Sequence, residues 1–323
     1  MNTSDTVLIL TCAEDSTADA VTAELARRDT RVARMDTGDF PTALRMSATT
    51  ADGGWTGRLA TDDTSVDLDD VRSVYFRRPT RFRLPAGMSA ADEVFAAVEA
   101  RHGFGGLLAA LDVLWVNEPI RQAAAEYKPL QLATAAACGL RTPATLLTNL
   151  HQEVIDFGNK IGGPVVCKQL SSLVFSENDE MRTTYTTVID PATIEPAAFA
   201  ATAHLIQEFV PKAYEARVTV VGRIPLGVVI RSASEAGRID WRSDYDALTY
   251  ERIKVPEAVT DGVGRFLDAL GLNYGAFDFV ITPDGDWVML ECNPAGQWLW
   301  LEHETGVPIA AALADLLTEG RDR

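Results

Sequence analysis

The sequence predicts an α/β protein of more than one domain, with a mostly parallel sheet near the N-terminus and antiparallel hairpins toward the C-terminus. Three observations carry this. The first third alternates short apolar strands with helical stretches, which is the rhythm of βαβ units. From Leu205 onward the apolar runs read as strands joined by turns, with a single long helix between them. The 323 residues exceed what one hydrophobic core usually spans.

Residues 7–10 are a continuous apolar run and read as a buried first strand. Ser16 can cap a helix to about Arg28, stopped by Asp29-Thr30. Residues 31–35 and 73–76 read as strands. Residues 90–111 are helical, weakened by Gly103-Phe-Gly-Gly106, and 113–116 are a strand. Those glycines do not follow a strand or spell GxGxxG, so they read as close helix packing. Residues 120–137 form one helical stretch, stopped by Cys138-Gly139. Thr142-Pro143 opens an extended segment. A helix over 151–161 breaks at Gly162-Gly-Pro164, and Val165-Val-Cys-Lys168 is a buried strand. Residues 183–189 are a Thr-rich strand, and 206–210, 216–221 and 226–231 are strands. A helix over 258–270 ends at Gly271, and 309–317 is the last helix. Boundaries fall near Pro119 and near His204.

The most informative stretch is a hairpin. It reads Tyr274-Gly-Ala-Phe-Asp278-Phe-Val-Ile-Thr282, then Pro283-Asp-Gly-Asp286, then Trp287-Val-Met-Leu-Glu291-Cys-Asn293-Pro294. Two β-rich runs flank Asp284-Gly285, a strong turn signal. A two-residue turn there sets Thr282 opposite Trp287 and, along the ladder, Asp278 opposite Glu291. Paired residues share a face, and Asn293, two further on, shares it too. Adjacent carboxylates repel, so a chance pair on a solvated face is the competing explanation. It predicts a clean polar alternation. Instead Phe277, Phe279, Ile281, Val288, Leu290 and Cys292 make one face apolar, while Val280, Met289 and Trp287 keep the other from being plainly wet. A hard divalent cation such as Mg²⁺ wants this set of carboxylate and amide oxygens, completed by phosphate and water. A metal site is the better reading.

The net charge of −17 argues against nonspecific binding to nucleic acid or anionic membrane. A phosphate-bearing ligand needs only a few local cations. No run approaches ~20 apolar residues, so no membrane span is expected. Met1-Asn-Thr-Ser-Asp5 carries no basic n-region, and Val7-Leu-Ile-Leu10 is too short for a signal segment. The four cysteines, Cys12, Cys138, Cys167 and Cys292, show no CxxC spacing. Buried free thiols in a reducing cytoplasm are the expectation. Strand alternation turns Cys292 away from the proposed ligands beside it. None of the four histidines sits in a GxSxG or HExxH context.

Other residues admit two readings each. Lys168 ends a buried strand and either snorkels to the surface or meets a bound anion. Lys128 reads by itself as a solvated helix residue. Gln207-Glu208-Phe209-Val210 meets a linker at Pro211, and Glu215-Ala-Arg217 follows. Glu215 and Arg217 are either a structural pair across the sheet, or a carboxylate for ribose beside an Arg for phosphate oxygens. Arg231 and Arg242 are further cations. Trp241, in the polar Asp240-Trp-Arg242 loop, either contacts a ligand or packs. The set suits a nucleotide held by Mg²⁺ and side-chain cations between two lobes.

Taken together, these stretches resemble the ATP-grasp fold, and most closely the graspetide synthetases, the microviridin-type ligases that modify ribosomal peptides. The matching pieces are Tyr75-Phe-Arg-Arg-Pro79, Trp115-Val-Asn-Glu-Pro119, Lys128, Val166-Cys-Lys168, Gln207-Glu208-Phe209-Val210, Glu215-Ala-Arg217, Asp240-Trp-Arg242, Phe277-Asp278, and Leu290-Glu-Cys-Asn-Pro294 with Gly296-Gln-Trp298. They span nearly the whole chain. The resemblance implies three domains: an N-terminal parallel α/β domain (1–118), a small central domain (119–204) and a C-terminal antiparallel grasp domain (205–323). ATP is expected between the last two. By this resemblance Lys128 and Lys168 touch the phosphates, with Lys168 also near the adenine. Gln207, Glu208 and Val210 line the adenine pocket, and Glu215 binds ribose. Asp278, Glu291 and Asn293 hold Mg²⁺. Arg217 and Arg242 look like phosphate or acyl-phosphate stabilisers, and Asp240 is either a general base or an orienting partner of Arg242. Cys292 stands where an aliphatic residue is expected.

The reaction implied is ATP-dependent macrocyclisation of a precursor peptide with a leader and a core rich in Thr, Glu and Asp. A Glu or Asp carboxylate becomes an acyl phosphate, and a Ser or Thr hydroxyl or a Lys amine of the same peptide displaces phosphate. Residues 171–189, with acidic Glu177-Asn-Asp-Glu180, are either a surface loop or a leader-recognition surface. The alternatives are another ATP-grasp ligase, such as a peptide glutamate ligase, and a non-catalytic nucleotide-binding scaffold. Gly296-Gln-Trp298 favours the synthetase. Neither nucleic acid nor membrane is an expected partner, and a homodimer is left open.

Overall fold

The computed structural model describes residues 5–320 apart from 52, 172–174, 178–179, 183–185, 235–236 and 238, with backbone alone at 175–177 and 180–182. Strand β1 (Thr6–Leu10) is buried at every position, as a strand covered on both faces of a parallel sheet must be. Helix α1 (Ser16–Ala26) is capped by Asp15, not by Ser16 as expected. The Asp15 carboxylate accepts from the N–H groups of Thr17 and Ala18, and a carboxylate also suits the positive end of the helix dipole. Strand β2 (Arg31–Met35) follows. Then β3 (Arg45–Ala51), β4 (Gly54–Ala60) and β5 (Ser65–Asp67) form a small antiparallel sheet that the sequence reading missed. Most side chains of β3 and β4 are exposed or half-exposed, so no apolar alternation marks them. Strand β6 (Val71–Phe76), helix α2 (Ala90–Ala109) and strand β7 (Leu114–Val116) complete a parallel sheet in the order β2-β1-β6-β7.

The single helix expected over 120–137 is two, α3 (Pro119–Ala125) and α4 (Lys128–Ala137). Pro129 sits in the first turn of α4, where its missing N–H costs nothing; in a continuous helix it would break the ladder. Lys128 thereby becomes the first residue of a helix instead of a mid-helix surface residue.

The central sheet uses β8 (Thr145–Thr148), β9 (Val165–Lys168), β12 (Thr187–Ile189) and β13 (His204–Glu208), in the antiparallel order β12-β9-β13-β8. Between these lie helix α5 (His151–Ile161), the hairpin β10 (Phe175–Glu177) and β11 (Glu180–Arg182), and the short helix α6 (Pro196–Phe199). α5 ends at Gly162 with φ +69°, a left-handed cap that only glycine adopts readily. Its Val154 and Phe157 pack on Val165, Phe199 and Ile206.

The C-terminal sheet has the order β16-β15-β14-β17-β18. It is built from β14 (Tyr214–Val221), β15 (Ile224–Ser232), β16 (Leu248–Ile253), β17 (Tyr274–Ile281) and β18 (Trp287–Asn293). Helix α7 (Glu257–Leu270) covers one face, with Val263, Phe266 and Leu267 against Val218, Phe277 and Phe279. After α8 (Leu299–Thr305), helix α9 (Ile309–Glu319) closes back on the N-terminal domain. Leu313 and Leu317 of α9, Trp298, and Tyr274 and Val228 of the sheet share one core with Val7, Val21, Tyr75 and Val116. The Ser73 hydroxyl donates to Leu317 O at 2.7 Å across this joint.

Asn117 completes the joint. Its Oδ1 accepts from the N–H groups of Asn273 (2.8 Å) and Tyr274 (3.0 Å), and its Nδ2 donates to Tyr274 O (2.9 Å) and Pro294 O (2.8 Å). A primary amide has two donors and two acceptor positions, so this buried side chain is fully satisfied.

Candidate active site

The β17–β18 turn is one residue longer than expected. Thr282 N–H donates to Asp286 O and Gly285 N–H donates to Thr282 O, both at 2.9 Å, so Pro283, Asp284 and Gly285 form the loop. Proline suits its first position, and Gly285 takes φ +88°. Near the turn Ile281 faces Trp287 and Phe279 faces Met289, one step out of the expected register. A bulge then absorbs Leu290, so Asp278 does face Glu291 and Asn293 faces Ala276. The turn error and the bulge cancel at the carboxylates. The bulge also leaves Leu290 beside Glu291 on the cavity side, while Met289 and Cys292 turn into the core.

Asp278, Glu291 and Asn293 line a cavity of about 310 Å³ between the central and C-terminal sheets. Val166 and Lys168 of β9 and the strand end Gln207-Glu208-Phe209-Val210 form the central wall. Lys128, Glu215, Asp240, Arg242, Val280 and Leu290 complete the other side. Of the site residues expected from the sequence, Arg217 does not line this cavity. It lies behind Asp278, buried. Arg231 is outside as well, exposed and paired with Glu251 at 3.1 Å.

The carboxylates sit in a lattice of cations. Asp278 Oδ1 accepts from Arg217 Nη1 at 2.7 Å, and its Oδ2 accepts from Arg242 Nη2 at 2.6 Å. Glu291 pairs with Lys128 through Oε2 and accepts from Arg242 Nη2 at 3.3 Å through Oε1. Burial works against the Glu291 charge, yet Lys168, Lys128 and Arg242 outweigh it and hold the carboxyl well below its usual range. Burial likewise opposes the Arg242 charge, and Asp278, Glu291 and Asp240 overcome it and raise its pKa. Burial lowers the Lys168 pKa, with Glu291 pulling the other way. The lining sets Lys128, Lys168, Lys212 and Arg242 against Glu208, Glu215, Asp240, Asp278 and Glu291, so charge in the cavity is near balance in a chain of net charge −17, with Lys128, Lys168 and Arg242 gathered around Glu291.

The remaining expected residues resolve individually. Glu215 and Arg217 are not paired with each other. Glu215 pairs with Lys212, and burial pushes its carboxyl pKa up against that pull. Lys212 also donates to Ile239 O at 3.1 Å. The sequence reading missed Lys212, although a cation three residues before a strand carboxylate was a usable signal. Gln207 donates to Thr145 Oγ1 at 2.9 Å, which ties β13 to β8. Asp240 accepts from the N–H groups of Arg242 (3.1 Å) and Thr186 (3.2 Å). Trp241 is buried despite its polar neighbours. It packs edge-on to Tyr245 and beside Trp300, with the Arg242 guanidinium 4.6 Å from its ring centre. Cys138 and Cys292 are buried free thiols, while Cys12 and Cys167 are only half-buried. Asp179 of the acidic loop lies outside the described residues.

The donor set fits a hard divalent ion. Two carboxylates and an amide on one wall could supply three oxygens, leaving further positions for phosphate and water. Among the described residues no group of three His, Cys, Asp or Glu gathers, because the third donor is Asn293. No described helix is long and apolar enough to cross a membrane.

The family profile of the MvdD pre-ATP grasp domain matches residues 6–123. Among solved structures, a RiPP-associated ATP-grasp ligase from Chryseobacterium gregarium, in complex with ADP and a leader and core peptide, superposes with a TM-score of 0.89 at 28% identity, covering 98% of this chain and 97% of that one. The macrocyclase MdnC of Microcystis aeruginosa, bound with precursor peptide MdnA, gives 0.83 at 26% identity, covering 97% and 99%. The macrocyclase MdnB of the same organism gives 0.79 at 26% identity, with the same coverage. No curated protein matches. The chain therefore has the ATP-grasp fold, carries an N-terminal region that matches the MvdD pre-ATP grasp domain, and is similar over its whole length to RiPP-associated ligases and macrocyclases.

Proposed function

We propose that the protein is an ATP- and Mg²⁺-dependent ligase that closes rings in a ribosomally made precursor peptide. The observation that carries this is the cavity wall where Asp278, Glu291 and Asn293 stand among Lys128, Lys168 and Arg242, facing the strand end Gln207–Val210. The similar structures bound to ADP and to precursor peptides support the same reading. Asp278, Glu291 and Asn293 hold Mg²⁺, which when bound polarises the transferring phosphoryl group and neutralises its charge. Lys128 and Lys168 hold phosphate oxygens, Gln207, Glu208 and Val210 line the adenine pocket, and Glu215 meets ribose hydroxyls.

A Glu or Asp side chain of the peptide attacks the γ-phosphorus and ADP leaves. A Ser or Thr hydroxyl or a Lys amine then attacks the acyl carbon and phosphate leaves. Arg242 faces the cavity and stabilises charge on the transferred group. Arg217 acts one layer behind by fixing Asp278. Asp240 orients Arg242: its carboxylate is already taken up by the Arg242 and Thr186 N–H groups, so it suits positioning better than proton removal.

The central domain ends after β13, which pairs with β8 and β9. The better boundary is therefore Pro211, not residue 204. The free cysteines suit a cytoplasmic enzyme. The test is incubation with ATP, Mg²⁺ and the peptide encoded by a neighbouring short reading frame. Mass spectrometry should record loss of one water per ring. ADP release without any such loss would point to a ligase that joins an external amine.

A further inference from the structure

Four consecutive backbone carbonyls follow Asn293, and a side chain donates to each. Asn117 Nδ2 reaches Pro294 O at 2.8 Å, and Arg77 Nη1 reaches Ala295 O at 2.6 Å. The Tyr274 hydroxyl reaches Gly296 O at 2.7 Å, and Arg217 Nη2 reaches Gln297 O at 3.4 Å. Two of the four donors belong to the N-terminal domain, far from the cavity in sequence.

Arg77 is 4% exposed. Its Nη2 donates to Gln297 Oε1, and its Nε lies 4.0 Å from Asp15. Burying a guanidinium is costly without partners, and most of its contacts are to this turn. Interdomain packing alone does not require that choice, since apolar side chains would seal the joint as well. The grip falls where it controls chemistry. Ala295, held at its carbonyl by Arg77, uses its N–H to hold Asn293 Oδ1 at 3.0 Å. The turn is also pressed against Arg217: a Cβ on Gly296 would lie 2.5 Å from Ala276 Cβ and 2.7 Å from Arg217 Nη2.

The geometry points to Arg77 and Asn117 as positioning residues of the metal site. From the N-terminal domain they fix the turn that aims Asn293 and backs Arg217. This rests on the nucleotide–metal reading above, and it makes the N-terminal domain part of the catalytic machinery.

The experiment is calorimetric titration of ADP into the full-length protein over a series of MgCl₂ concentrations and in EDTA. Arg77→Lys keeps the charge but cannot fork to two oxygens. Gln297→Ala removes one acceptor at an exposed position and leaves Arg77 with Ala295 O and Asp15, so it disturbs the fold less than Arg77→Lys. Outer partners of metal ligands tune affinity by about 10–100-fold, so the Mg²⁺ concentration for half-maximal ADP affinity should rise about tenfold in Arg77→Lys and severalfold in Gln297→Ala, with affinity in EDTA held within about twofold. Folded variants with unchanged Mg²⁺ dependence would overturn this inference alone. A wild type that binds no ADP with Mg²⁺ would overturn the nucleotide reading and this inference with it.

Discussion

Arg217 on β14 stands directly across the ladder from Asp278 on β17, and the two side chains meet at 2.7 Å with almost no exposure. Cross-strand neighbours share a face, so the sheet presents this pair as a unit. Asp278 is therefore aimed before any metal arrives. Removing Arg217 leaves the buried Asp278 with Arg242 as its one remaining cation, so Arg217→Leu should cost about 3 kcal/mol of stability, the low end for breaking a buried pair. Arg217→Lys should recover part of that, because one ammonium cannot serve both Asp278 and Gln297 O. Urea unfolding of the two variants measures it. Equal stability of Arg217→Leu and wild type would mean that the pair is not structural.

Glu291→Gln keeps shape and removes one charge. The Lys128 and Arg242 partners lose their carboxylate, but Asp278 still holds Arg242. The fold and peptide binding should survive, while product formation falls below detection. Circular dichroism, peptide titration and mass spectrometry separate the three readouts. Ring formation near the wild-type rate would remove Glu291 from the metal set.

The N-terminal and C-terminal domains should unfold together. Val7, Val21 and Tyr75 are covered by Leu313, Leu317 and Trp298 across the joint, and Asn117 spends four hydrogen bonds there. A fragment of residues 1–118 loses that cover and should bind a hydrophobic dye without a sharp thermal transition. Cooperative unfolding of the isolated fragment would show the core to be divisible.

How far the sequence could be read depends on what each feature leaves in its pattern. Buried strands such as β1 announce themselves by unbroken apolar runs. The exposed ladder of β3 and β4 has no such signature, and β16 alternates only between half-exposed and exposed positions. The carboxylate pair was legible because register is counted from a turn, but the count succeeded through two departures of opposite sense, a longer loop and the bulge at Leu290. Glu215 and Arg217 showed their common face and concealed their partners, since Lys212 and Asp278 lie off the strand that carries them. Lys128 looked ordinary until Pro129 was seen to start a helix instead of interrupting one. The grip of Arg77 on Ala295 spans 218 positions of sequence, and no local pattern encodes it.

Nucleotide affinity should fall on the alkaline side, earlier than an ordinary lysine would dictate. Burial lowers the Lys168 pKa, so in the free protein its proton leaves below the usual ~10.4. Phosphate oxygens favour the ammonium and move the pKa back up, so binding takes up a proton between the two values. Within that window the dissociation constant of ADP should rise by up to about tenfold per pH unit. The stability of the ligand-free protein should move the other way. There the unfolded chain binds more protons at this lysine than the folded one, so the Lys168 contribution strengthens as pH rises through the window and is lost as pH falls back through the lowered value. Titrations at alkaline pH in two buffers of different ionisation heat give the proton uptake directly. Lys168→Arg keeps its charge throughout and should flatten the profile. An unchanged profile in that variant would assign the proton to another group.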